Sequence, residues 1–110
     1  MKKILFFCSM MGLIGTTNVS AEKSNNNNEF CTKIFMTSEL IMKYRQKSVP
    51  ITETFSDIEK LKFSKAEQEL INLIVIDAYE SPKFTIKEYQ DNAVKEFANN
   101  QFIGCYKAMK

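Results

Sequence analysis

The sequence predicts an all-α protein, a small four-helix domain with one disulfide between the first and last helices. Three observations carry this. Apolar residues recur at the three-and-four spacing of a helix face along most of the chain. Two segments open with the Ser/Thr-x-x-Glu pattern of a capping box, Ser64-Lys65-Ala66-Glu67 and Thr85-Ile86-Lys87-Glu88. No alternating strand pattern or hairpin turn competes, and only one glycine, Gly104, occurs after residue 15.

The chain of 110 residues opens with Met1-Lys2-Lys3 and an uncharged apolar run from Ile4 to Ile14. This is the layout of an export signal, too short to span a bilayer, and Val19-Ser20-Ala21 fits the small-residue cleavage pattern. Residues 1–21 are therefore expected to be a signal peptide cut after Ala21, giving a periplasmic or secreted protein without stable membrane insertion. Residues 22–28, with four consecutive asparagines, read as a flexible leader, and 29–110 as the helical domain.

Helix one is expected over about 29–46. Cys31, Ile34, Phe35, Ser38, Ile41 and Met42 share a face, and Val49-Pro50 ends it. A short second helix is expected over about 53–62, capped by Thr52 or alternatively by Ser56, with Phe55, Ile58 and Leu61 on its apolar side. Helix three starts at the Ser64 box and ends at Ser81, before Pro82. Ala66, Leu70, Leu73, Ile74 and Asp77 share one face and Ile71, Val75, Ile76 and Ala78 fill much of the rest, so this helix is expected to be the central one. Helix four starts at Thr85, with Phe84 and Tyr89 placed to form a hydrophobic staple. Gly104 reads either as a site of close backbone approach beside the disulfide or as the start of C-terminal unwinding.

Composition removes several function classes. There is no histidine, so histidine-based nucleophile systems, general bases and metal ligands are excluded. Lys2 and Lys3 account for the formal charge of +2, and from Glu22 onward basic and acidic residues balance. That removes the electrostatic case for nucleic acid. Cys31 and Cys105 are the only cysteines after the expected cut. They are too far apart for a CxxC redox pair and, in an exported chain, imply one disulfide. No cofactor or metal is expected, and no residue is assigned a catalytic role.

Five residues stand out as candidate interaction residues. Asp77 lies in an apolar helix, where an unpaired carboxylate would be costly. Tyr44 and Arg45, and Tyr79 and Glu80, sit at helix ends beside proline-containing turns. Arg45 is expected to pair with Glu80 or Asp77, or with Tyr44 and Tyr79 to offer a recognition patch.

The set Cys31, Tyr44-Arg45-Gln46 with Val49-Pro50, Ala78-Tyr79-Glu80 with Pro82, Phe97 and Cys105 resembles a group of small exported proteins of proteobacteria and their prophages. The group has no assigned activity, so the resemblance implies a periplasmic setting and no mechanism. In organisation alone the chain is also similar to periplasmic acid-stress chaperones and to immunity proteins. These readings predict a non-enzymatic binding module for another envelope protein, of inhibitor or immunity type. The alternatives are an acid-stress holdase, or an enzyme built on Asp77 and a second acid.

Overall fold

A computed structural model describes residues 13–109, with side chains from Asn28 onward. The chain forms four helices and, among the described residues, no strands: α1 (Leu13–Gln46), α2 (Ile51–Glu59), α3 (Lys65–Glu80) and α4 (Lys87–Met109). The first twelve residues of the expected export signal lie outside the described residues. α1 ends at Gln46 as expected but begins at Leu13 rather than near residue 29, so the segment read as a leader, 22–28, has helical backbone. No proline interrupts it, and extending an existing helix adds one hydrogen bond for each residue fixed.

α1 is the central helix, contacting α2, α3 and α4. This corrects the expectation that α3 would be central. α1 buries Cys31, Ile34, Ser38, Ile41, Met42 and Gln46. α3 buries only Ile71, Ile74, Val75 and Ala78, half-buries Tyr79 against the core, and leaves Leu70, Leu73 and Ile76 exposed. α4 lies along α1 and contributes Val94, Phe97 and Ala98, while α2 contributes Ile58 and Thr54. These side chains form one continuous core.

The Cys31–Cys105 disulfide joins α1 to α4, with the two Cα atoms 5.7 Å apart. Close by, Phe35 meets Phe102 edge-to-face at 6.3 Å, and Phe102 stacks on Tyr106 at 6.1 Å.

The caps follow the sequence in part. At α3 both halves of the box form: the Glu67 amide donates to Ser64 Oγ (3.2 Å) and the Ser64 amide donates to Glu67 Oε1 (3.0 Å). α2 starts two residues earlier than expected, at Ile51. Pro50, not Thr52 or Ser56, holds the cap position, and its carbonyl accepts from the Glu53 and Thr54 amides. α2 also ends three residues early, because Lys62 turns to a left-handed φ of 59°; Leu61 is thereby left half exposed. Ser48 makes the same left-handed turn after α1, at φ 66°. α4 begins at Lys87, so Ile86 rather than Thr85 precedes its first residue, and the Ile86 carbonyl accepts from Gln90. The expected staple is present, with the Phe84 and Tyr89 rings 6.2 Å apart.

Candidate functional site

The residues singled out by sequence divide into two groups. Tyr44, Arg45 and Tyr79 turn inward and fasten one end of the bundle. Tyr44 Oη donates to Asp57 Oδ2 at 3.1 Å, tying α1 to α2. That hydrogen bond, with burial second, raises the phenol above its ordinary value. Arg45 does not pair with Glu80 or Asp77. Its Nε and Nη2 both donate to the Ser81 carbonyl, at 3.2 and 3.0 Å, and its guanidinium lies 5.6 Å from the centre of the Tyr79 ring. The physical reason is local: Ser81 ends α3, and a helix C-terminus presents unpaired carbonyls that attract a cation.

Tyr79 Oη donates to the Val49 carbonyl at 2.6 Å. A phenol carries one proton, so at the 2.7 Å contact with Thr54 Oγ1 the threonine is the donor. Gln46, which the sequence reading did not mark as a site, completes this end. Only 5% exposed, it donates from Nε2 to the Pro82 carbonyl and accepts the Phe84 amide at Oε1, both at 2.9 Å. One amide thus mimics a strand neighbour for the 82–84 turn and sets the approach angle of α4. These side chains are engaged within the fold.

Asp77 and Glu80 are exposed on α3. Asp77 accepts from Gln101 Nε2 at 2.9 Å, a bond that crosses from α3 to α4. An exposed, hydrogen-bonded carboxylate is not the buried acid of a cleft, and this removes the enzyme reading built on Asp77. Among the described residues no group of three His, Cys, Asp or Glu side chains is placed to hold a metal ion.

What sequence reasoning missed is the outward side of α3. Leu73 is 65% exposed, Ile76 43% and Leu70 36%. They recur every third residue, and Glu69, Asp77 and Glu80 are exposed around them. The available signal was quantity: the helix carries more large apolar residues than one core-facing side can bury. Beside Leu70 a cleft of about 200 Å³ opens between α3 and α4, floored by Phe30, Ile34 and Ile74 and walled on the α4 side by Gln101, Gly104, Ala108 and Met109. A second, larger groove of about 550 Å³ lies at the fastened end, where Met42, Pro82, Phe84, Tyr89 and Phe97 meet Glu96. Large apolar side chains held in water on a rigid helix suit them to contact a partner.

No family model matches the chain, and comparison with curated proteins and with solved structures likewise gave no match.

Proposed function

We propose that this protein is an exported, non-enzymatic binding module that engages another envelope protein, with an inhibitor or immunity role as its most specific form. One observation carries the reading: Leu70, Leu73 and Ile76 stand exposed on a helix whose other side is fully committed to the core. The fold leaves much of these side chains, and most of Leu73, in water, where a contact surface would use them. The disulfide supports export, because such bonds persist in oxidising compartments. No helix among the described residues is long and apolar enough to cross a membrane.

The first test is intact mass on a periplasmic fraction, with and without reductant and alkylation. A chain beginning at Glu22 and two hydrogens lighter than its reduced form supports export and the bridge together. A full-length chain with alkylatable Cys31 and Cys105 removes the envelope assignment. The second test is photo-crosslinking in living cells from exposed positions, where adduct formation with a defined envelope protein is expected.

A second reading, an acid-stress holdase, draws on the same exposed side chains. It requires further apolar surface to open as carboxylates are protonated. A flat dye-binding signal from neutral pH to about pH 2 removes it.

A further inference from the structure

We propose that the outer face of α3 and the adjoining α3–α4 cleft seat a basic, amphipathic helix of another protein. This deepens the binding-module reading and rests on it.

The apolar part of the site is built from two pieces that meet at Leu70. Leu70, Leu73 and Ile76 form a ridge along α3, about 9 Å long at 1.5 Å of rise per residue. From Leu70 the cleft runs over Phe30, Ile34 and Ile74 to Ala108 and Met109. The Asp77–Gln101 bond spans the two helices and bounds the cleft on one side. A ridge beside a cleft is the relief that a helix with apolar side chains at i, i+3, i+4 and i+7 fits.

Gly104 is an independent sign. It lies inside α4, where glycine weakens a helix relative to alanine. Among the described residues a Cβ built on it would meet nothing within 4 Å, so neither the disulfide nor any of these neighbours requires glycine. Both sequence expectations for Gly104 therefore fail, since α4 also continues past it to Met109. What the missing side chain does is keep the α4 wall of the cleft low. An added methyl would project into the space an incoming side chain needs.

Charge selects the occupant. α3 carries Glu67, Glu69, Asp77 and Glu80 against a single base, Lys65. Lys33 pairs with Glu67 at 3.3 Å. Glu69, Asp77 and Glu80 carry no ion pair among the described residues. Of the cations near Glu80, Lys83 is engaged with Ser48 Oγ and Arg45 with the Ser81 carbonyl. The cleft-lining positions of α4, Gln101, Gly104, Cys105 and Ala108, are uncharged. The rim is therefore negative, and a partner with lysines or arginines flanking its apolar stripe complements it. A second copy of the chain would set this acidic rim against itself across a two-fold axis. An anionic lipid surface would be repelled.

The test uses the oxidised protein recovered from cells and an 18-residue Leu/Lys peptide with leucines at helical i, i+3, i+4 and i+7 positions. Its Leu/Glu twin and vesicles of zwitterionic and anionic lipid are the comparisons. The Leu/Lys peptide is expected to bind, more weakly as salt rises, and the twin is not. L73K should weaken binding at least tenfold with the helical circular dichroism unchanged. G104A should raise the melting temperature and yet weaken binding several-fold. Equal binding of the twin, equal binding by L73K, dimers that dissolve on L73K, or adsorption to vesicles would each overturn the proposal. A photoreactive residue at position 73 and another at position 89, used in cells, separate the two levels of the argument. An adduct at 73 to a basic helical segment supports the site. An adduct at 89 alone moves the site to the other groove and leaves the binding-module reading intact. Adducts at neither position remove both.

Discussion

Replacing Gln46 should loosen the turn that positions α4, and the structure sets the size of the effect. Q46L keeps roughly the volume of the side chain and removes its donor to the Pro82 carbonyl and its acceptor for the Phe84 amide. Each lost bond costs about 1 kcal/mol net, and the partly buried Phe84 amide left without a partner adds about 1 kcal/mol more. The expected loss is roughly 2–3 kcal/mol, against a total of roughly 4–12 kcal/mol for a domain of this size. In urea, with a slope of about 1 kcal/mol/M, the midpoint should fall by about 2–3 M. Q46E adds a sign. The carboxylate can still accept the Phe84 amide but faces the Pro82 carbonyl, and burial also disfavours its charge, so its folded pKa lies above the unfolded value of about 4.3. For an acid with a raised folded pKa the destabilisation is full at high pH. It shrinks as pH falls through the folded value and is gone below the unfolded one. Q46E should therefore be weaker than Q46L at pH 7 and recover ground towards pH 4. Hydrogen exchange at the Phe84 amide reports the bond directly. If Q46L melts within about 0.5 kcal/mol of the parent and Phe84 exchanges at an unchanged rate, Gln46 does not hold the turn.

Three further outcomes are expected. Reducing Cys31–Cys105, which are 74 residues apart, removes a loop constraint of about 4.5 kcal/mol; a urea midpoint unmoved by reductant would refute it. S38A should stabilise by about 1 kcal/mol, because the Ser38 hydroxyl is fully buried without a hydrogen-bond partner among the described residues; a lower melting temperature would show that the hydroxyl is satisfied in solution. Glu67 is held below its ordinary value of 4.5, first by the Ser64 amide and then by Lys33. Its contribution is present above 4.5 and lost as pH falls through the lower folded value, so the melting curves of E67Q and the parent should converge in acid; a constant gap between them would be the contrary result.

The helices, the α3 capping box and the disulfide pairing were legible because each is written in residue types at fixed spacing. Ser64 and Glu67 name their own partners. The fastened end was not legible in the same way. Tyr44, Arg45 and Tyr79 stood out as residues, but Arg45, Gln46 and Tyr79 bond to the backbone carbonyls of Ser81, Pro82 and Val49. A carbonyl belongs to every residue alike, so no sequence pattern announces it as a partner. The exposed side of α3 was misread for a different reason. Periodicity says which residues share a face, and it does not say whether a neighbour covers that face. α3 was read as central because it is apolar nearly all round. α1 takes the centre instead, since it packs against all three other helices and forms with α4 the most extensive seam of the bundle.

The left-handed residues after α1 and α2 have a consequence for what selection has kept. Ser48 and Lys62 sit in a backbone region where a side chain costs about 1 kcal/mol and glycine costs nothing. Glycine occupies neither. The one glycine of the helical domain lies instead inside the C-terminal part of α4, where alanine would serve the helix better. Three exchanges, S48G, K62G and G104A, would each move the chain towards greater stability by local backbone rules. A sequence refined for folding alone would drift along that path. The inverted placement means that stability has not been the quantity maximised at these positions, least of all at the α4 wall, where the glycine leaves room that none of the described residues fills.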